Sequence, residues 1–330
     1  MKQSDKWLAV VNVFAASRKA GSIWKKAALR LEAAGVNYKA RFTGGKYNAM
    51  ELGRMGAEEG FRHFIAVGGD GTVHDVLNGI AEYVYSQETK GVRLSDFTLA
   101  VIPVGSGNDW VKSVGVPCDV NSAVDLIASG RTGRQDVVKV NVYDGIPEGE
   151  QECKVVATSY MANIGGIGLD ARVCEIVNRK KEQGFRGKKL YISALLYCIK
   201  HRVPVHARVI CDGEEVFRGK YLSMAFGIGK YSGGGMRQTS LAVIDDGLLD
   251  VTIIPDIPLW VIAKEVPRLF TGNFHKVAVL TQARCRKVVI IPDSGSDAEP
   301  AEVDGEVIGR APVCMEVLEE QLNIITGNRG

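Results

Sequence analysis

Long apolar runs, paired cysteines and clustered metal ligands are all scarce in this 330-residue chain. The most helix-like apolar run, Leu190 to Ile199, is about half of the roughly 20 residues that span a bilayer, which excludes a membrane-spanning helix there. The seven cysteines (118, 153, 174, 198, 211, 285 and 314) contain no C-x-x-C pair, and an odd, scattered set reads as reduced thiols in a reducing compartment. The five histidines show no H-E-x-x-H spacing, so a zinc site is not expected. A formal net charge of +3 is too small to argue for nucleic acid. Met1-Lys2-Gln3-Ser4-Asp5-Lys6 leads into a strand-like run without the apolar core or cleavage site of a signal peptide. Neither G-x-G-x-x-G nor G-x-x-x-x-G-K-[ST] occurs, so dinucleotide-binding and P-loop readings recede. These absences lead to the expectation of a soluble, cytoplasmic protein whose membrane contact is peripheral.

The length exceeds what one hydrophobic core usually serves, so two domains are expected. Up to about residue 134, short apolar runs alternate with helical patterns. Trp7 to Val11, Tyr38 to Phe42, Phe64 to Val67 and Leu99 to Ile102 read as strands. Ser22 to Ala34, Ala49 to Glu59 and the run from Val73 to Val84 carry helical periodicity. This alternation predicts a parallel sheet covered on both faces. From residue 135 the texture changes to β-branched runs, such as Ala207 to Ile210, Tyr221 to Phe226, Val251 to Ile254 and Val288 to Ile291. Asp212-Gly213 and Asp304-Gly305 are hairpin signals, and helical stretches at Ala171 to His201 and Leu259 to Phe270 interrupt the strands. The expected division is an α/β domain over residues 1–134, completed by the C-terminal segment 314–330, and a mainly antiparallel β-domain over 135–313. Glu82 to Asp96 reads as an extended loop.

Two glycine turns stand out. Gly68-Gly69-Asp70-Gly71-Thr72 lies between a buried-looking strand and a helix, where close backbone approach and free N–H groups suit a phosphate. Thr72 and Asp75 have the spacing of a capping box. Pro103-Val104-Gly105-Ser106-Gly107-Asn108-Asp109 follows another such strand and is not the G-x-S-x-G of a hydrolase elbow. A glycine turn can be only a structural link between strand and helix, but the carboxyl end of a parallel strand is where open α/β sheets bind ligands.

With their flanks, Val67 to Gly79 and Ile102 to Trp110, the turns resemble the two nucleotide-binding motifs of the diacylglycerol kinase catalytic family. Asp136-Val137-Val138-Lys139-Val140-Asn141, Asn163 to Asp170, Gly233-Gly234-Gly235-Met236, Asp245 to Asp250 and Val303-Asp304-Gly305-Glu306 match in the family's order. The resemblance implies an α/β nucleotide-binding domain followed by a β-sandwich lipid-substrate domain, and a kinase that uses ATP and Mg2+. By the same resemblance, Asp304 is the general base and Glu306 sits beside it. Asn12, Thr43, Gly68, Gly69, Asp70, Gly71, Thr72, Ser106 and Asn108 are the ATP contacts. Asp70, Asp109 and Asp136 organise magnesium, and Asp246 forms a separate structural metal site with the carbonyls of Val243 and Leu248. The implied partners are a diacylglycerol-like or sphingoid lipid at the inner face of an anionic membrane and a second copy of the chain, with no nucleic acid.

The chain departs from the family's first-strand motif, since Val13 and Ala16 replace its proline and glycine while Asn12 and Arg18-Lys19 are kept. Asn48 stands where a histidine is usual. Basic groups at Arg179-Lys180-Lys181, Arg186, Lys188-Lys189 and Lys200-His201-Arg202 bracket Leu190 to Ile199, a pattern open both to docking on anionic lipid and to an ordinary solvated face. Two other readings stay open: a NAD kinase or other soluble-metabolite kinase, and a non-catalytic nucleotide or lipid sensor.

Overall fold

The computed structural model describes residues 6–15, 20–44, 48–86, 91–105, 107–146, 153–185, 188–202, 205–293 and 299–327. It separates into two compact units, Met1–Val137 with Glu319–Gly330, and Val138–Leu318.

The first unit contains β1 (Trp7–Val11), α1 (Ala20–Ala33), β2 (Tyr38–Phe42), α2 (Ala49–Glu58), β3 (His63–Gly68), α3 (Asp70–Tyr85), β4 (Thr98–Pro103), α4 (Asp109–Ser113), α5 (Val120–Ser129) and β5 (Thr132–Gln135). The sheet runs β2-β1-β3-β4, then β17 (Leu322–Ile325), then β5. The first five strands pair in parallel, and β5 runs antiparallel to β17. Strands covered on both faces must be apolar throughout. Phe64, Ile65, Ala66 and Val67 accordingly have no solvent exposure, and Ile65 and Val67 share a core with Trp24, Ala27 and Leu31 of α1. The order of the sheet reverses at β1, which has β2 on one side and β3 on the other. Open α/β sheets bind ligands outside the carboxyl ends of strands at such a switch point. The loops after β1 and β3 are therefore the place to look.

The second unit contains β6 (Val138–Tyr143), β7 (Val155–Met161), β8 (Ile164–Gly168), α6 (Leu169–Glu182), α7 (Lys188–Lys200), β9 (Val205–Cys211), β10 (Glu214–Gly227), β11 (Leu249–Pro255), α8 (Leu259–Thr271), β12 (Thr281–Cys285), β13 (Lys287–Pro292), β14 (Pro300–Val303), β15 (Glu306–Arg310) and β16 (Val313–Val317). All its strand pairs are antiparallel. The 14-residue strand β10 pairs with β9 along its first half and with β8 and β11 along its second, so one strand serves two parts of the sheet. Alternate residues Val138, Val140 and Val142 of β6 and Val205, Ala207 and Val209 of β9 face a common core. Asp212-Gly213 and Asp304-Gly305 take the left-handed conformations that tight hairpin turns require.

Three expectations change. Cys314 to Leu318 belongs to the second unit, because β16 pairs with β13 and β6; the chain returns to the first unit only at Glu319, to supply β17. Glu82 to Tyr85 continues α3, and Leu94–Asp96 forms a short 3-10 turn. The stretch from Ala171 to His201 is two helices, with Gly184 in the left-handed region just after the first.

Candidate active site

In the first unit, three strand ends converge on a small polar net. Asn12 follows β1, and its Nδ2 donates to Thr72 Oγ1 at 3.0 Å. Its Oδ1 accepts from Phe14 N–H at 3.0 Å and from the Thr43 hydroxyl at 3.5 Å. Thr43 Oγ1 in turn accepts from Val13 N–H at 3.3 Å. This pins the backbone of Val13 where the family's proline would stand; Ala16, Arg18 and Lys19 lie outside the described residues.

The two glycine turns touch. A Cβ on Gly69 would stand 3.1 Å from Gly105 Cα, and one on Gly105 would stand 2.6 Å from Gly69 Cα and 2.6 Å from Asn108 Oδ1. A Cβ on Gly68 would collide with the Thr72 side chain. Val104 N–H donates to Gly68 O at 2.8 Å, locking the second turn to the first. Gly69 is the N-cap of α3 and supplies no side-chain cap, so the Thr72–Asp75 capping box does not form; Thr72 is spent on Asn12 instead. The free N–H groups at this helix start suit an anion.

Asn108 adopts φ 50° and ψ 48°, and its Nδ2 donates to Gly105 O at 2.9 Å. Its Oδ1 is buried without a hydrogen-bond partner beside both glycines, an acceptor available to a ligand donor. Ser106 lies outside the described residues.

Asp70 Oδ1 accepts from Trp110 N–H at 3.0 Å, which fixes the carboxylate across the two turns. Asp70 Oδ2 and Asp109 Oδ2 would stand 3.1 and 3.5 Å from a Cβ on Gly107, so both oxygens point at the same region. Asp109 Oδ1 is paired with Lys112 Nζ at 2.7 Å. Magnesium is commonly held by one or two carboxylates together with substrate phosphates, and this pair fits that pattern. Asp136 is separate: it is 1% exposed, and its Oδ1 accepts from Gln321 Nε2 at 2.8 Å. Among the described residues no three acids, histidines or cysteines form a metal-holding group.

The second unit contains the other candidate centre. Asp304, with φ 53°, turns its carboxylate onto the β7–β8 connection. Oδ1 accepts from Asn163 N–H at 2.9 Å and Ile164 N–H at 3.2 Å, and Oδ2 from Ala162 N–H at 2.8 Å. Asn178 of α6 donates to Gly305 O at 3.0 Å and to Glu306 Oε2 at 3.4 Å, tying Asp304's turn and Glu306 to one helix.

Two acids to which the sequence assigned no role lie beside this turn. Glu302, on β14 opposite Gly166, accepts from Gly305 N–H at 2.7 Å. Burial foremost, then the nearby acids Asp170, Asp304 and Glu306, pushes its carboxyl well above the usual range, against the Gly305 hydrogen bond. Asp170 accepts from Ser223 Oγ and Gln238 Nε2, each at 2.8 Å, and burial raises its carboxyl too. Gly166 is required between them: a Cβ there would lie 3.0 Å from Glu302 Oε1 and 3.1 Å from Asp170 Cβ. The signal for Glu302 was an acid inside a four-residue strand of otherwise small or apolar residues, Pro300 to Val303.

The loop expected to hold a structural metal carries an ion pair of its own. Asp246 Oδ1 accepts from Leu248 N–H at 3.1 Å, and Oδ2 is paired with Arg284, whose Nε also donates to Asp250 Oδ2 at 3.1 Å. The loop containing Val243, Asp246 and Leu248 thus already has a guanidinium as its counter-charge.

Comparison with known proteins follows the same division. Residues 6–140 match the diacylglycerol kinase catalytic domain, and residues 164–326 match the YegS C-terminal NAD kinase beta sandwich-like domain. This chain belongs to the diacylglycerol kinase catalytic-domain family and is an enzyme of the lipid kinase class. A diacylglycerol kinase of Staphylococcus carnosus (strain TM300) is 25% identical over 300 residues, covering 90% of this chain and 87% of the relative. A probable YegS-like lipid kinase of Stenotrophomonas maltophilia (strain K279a) is 28% identical over 223 residues, covering 68% of this chain and 66% of the relative. The crystal structure of a diacylglycerol kinase from Bacillus anthracis str. Sterne superposes with a TM-score of 0.68 at 19% identity, over 99% of this chain and 98% of that one, which shows the shared fold. Among the described residues, no helix is long and apolar enough to cross a membrane.

Proposed function

We propose that this lipid kinase transfers the γ-phosphate of ATP to a hydroxyl of a diacylglycerol-like or sphingoid lipid, with Asp304 as the base. The observation that carries the reading is the Asp304 turn. A non-glycine residue is held in the left-handed region, and three backbone donors fix its carboxylate. A carboxylate held by three backbone N–H groups keeps a fixed position from which to meet an acceptor hydroxyl. Asp304 would take the proton of the acceptor hydroxyl as its oxygen attacks phosphorus. Glu306, tied to the same helix by Asn178, keeps the turn's charge and orientation.

The donor side falls to the first unit. Gly68 to Thr72, Ser106 and Asn108, with Asn12 and Thr43 behind them, would cradle the phosphates on N–H groups and hydroxyls. Asp70 and Asp109 would hold magnesium, which supplies charge neutralisation for phosphoryl transfer when bound. Asp136 would act on this site at a distance, through its bond to Gln321.

The enzyme would meet its lipid peripherally at an anionic membrane, through the basic segment 179–202. Arg179, Lys180 and Lys200 are exposed there; Arg186 lies outside the described residues, as do the side chains of Lys181, Lys188 and Lys189. The test is transfer of labelled phosphate from ATP with magnesium to diacylglycerol, ceramide, sphingosine and phosphatidylglycerol in mixed micelles, with NAD as control. Label on one lipid, lost in Asp304→Asn while ATP still binds, supports the reading. Label on NAD alone overturns it.

A further inference from the structure

A buried helix hides its large apolar side chains, yet α8 displays its own. Trp260 is 70% exposed and Phe270 56% exposed, and Val266 is also open to solvent. Val261, Ile262 and Leu269 are half-buried. At the far end of the helix, Phe274 is buried as an anchor while Val279 is exposed. The Ser240 hydroxyl lies 3.0 Å from His275 Nδ1, which brings the exposed Leu241 segment to the same end.

The acids on and beside this ridge are paired with arginines, which leaves lysines as its exposed charges. Lys264 and Lys276 are exposed, while Glu265 is largely covered and paired with Arg268 at 3.0 Å. Asp256, just before the helix, pairs with Arg202 at 3.5 Å. Thirteen residues make a rod about 20 Å long, with aromatic rings near its two ends. Aromatic rings settle at the headgroup level of a bilayer, and lysines beside them meet anionic headgroups.

We propose that α8 is a membrane-seating helix, lying flat in the interface of an anionic lipid surface with Trp260 and Phe270 inserted. The inference rests on the reading of a membrane lipid as acceptor. It also explains how α7 is reached. A Cβ on Gly233 would stand 2.8 Å from Tyr191 Oη of α7, and Arg237 N–H donates to Leu269 O of α8 at 2.7 Å. The loop between Gly233 and Arg237 thus touches both helices, and α7 itself exposes Ile192, Leu196 and Tyr197.

Trp260 is its own reporter, because of the chain's four tryptophans Trp24 and Trp110 are buried and Trp7 is half-buried. The experiment mixes the full chain, without ATP, with phosphatidylglycerol–phosphatidylcholine vesicles whose acyl chains are brominated near the headgroup. The expected result is a blue shift and bromine quenching of the tryptophan emission, both lost in Trp260→Phe. Trp260→Ser with Phe270→Ser should lower the partition coefficient on the order of tenfold or more with an unchanged thermal midpoint, whereas Trp260→Phe alone keeps most of it. Vesicle binding without quenching, or no binding, overturns the proposal. So does self-association that the double substitution abolishes, which would make the ridge a contact between copies. The readout is fluorescence, so failure of the phosphate-transfer assay leaves it standing, and its failure leaves that assay's result intact.

Discussion

Replacing Gly105 by alanine tests whether the two glycine turns form one ligand cradle. The added methyl carbon would stand 2.6 Å from Gly69 Cα and 2.6 Å from Asn108 Oδ1. Carbon atoms rest at about 3.5–4.0 Å, so the turns must separate by about 1 Å. The first strain falls on the Val104 N–H to Gly68 O bond that locks them. Overpacking of this kind costs about 1–3 kcal/mol. The functional loss should be larger than the stability loss, because about 1 Å of misplacement at a reacting centre costs on the order of a hundredfold in rate. Gly105→Ala is therefore expected to bind a fluorescent ATP analogue at least about tenfold more weakly and to turn over about a hundredfold more slowly, with folding retained. Titration of the analogue, a phosphate-transfer assay and a thermal melt read the three quantities. Wild-type affinity and turnover would refute the reasoning, since the cradle would then tolerate a gap that its geometry forbids. Gly91→Ala, where nothing lies near the added carbon, controls for loss of glycine alone, although its φ of 78° gives it some backbone strain.

Glu302 carries a pH signature. Its folded-state carboxyl is raised, so the folded chain holds a proton that the unfolded chain has released. That stability is full below the ordinary carboxylate range and is lost as pH rises through the folded value. Glu302→Gln keeps an acceptor for Gly305 N–H and has no proton to lose, so its stability should fall less as pH rises above the ordinary carboxylate range. Parallel pH–stability curves for the two proteins would sink this. Arg284→Met strips the counter-charge from Asp246 and Asp250 and should cost about 1–2 kcal/mol, with faster amide exchange across residues 245–250. Unchanged exchange would show that the loop does not depend on the guanidinium. Asp304→Asn places an NH2 group or a single oxygen against three backbone donors, so turnover should fall about a hundredfold to ten-thousandfold and stability by about 1–3 kcal/mol. Turnover within about tenfold of wild type would remove Asp304 as the base.

The parallel sheet was legible because its strands are uniform apolar runs and its helices have clean periodicity; β3 and β4 fall within a residue or two of where Phe64 to Val67 and Leu99 to Ile102 place them. The return of the C-terminal segment to this unit was expected, but the place of β17 in the sheet was not. Leu322–Ile325 is only four residues long, and it reaches the sheet from the far end of the chain by slotting between β4 and β5. Residues 314–318 misled for a related reason. Cys314 to Val317 is as strand-like as β17, and the unit it joins is decided by its partners in β13 and β6, which are pairings at long sequence separation.

The site shows the same limit at the scale of single side chains. Residues that act through the backbone announce themselves, because a glycine required by a close approach is a glycine in every reading; Gly68, Gly69 and Gly105 are such cases. Residues that act through a distant partner do not. Nothing local marks Arg284 as a counter-charge of Asp246, 38 positions away. Nothing near Gly166 says that its missing side chain makes room for Glu302 and Asp170. Both cases reduce to charge bookkeeping that only the folded pairing completes. An acid in a turn asks for a positive partner, and sequence shows the demand without showing whether a metal or an arginine meets it. An acid inside a strand asks for a proton or a donor, and Glu302 has the Gly305 N–H together with a raised affinity for its proton. The centre around Asp304 is thus built so that one acid is held by three backbone donors while its neighbour two residues earlier is favoured in the neutral form. That division lets closely spaced carboxyls coexist without mutual repulsion opening the turn.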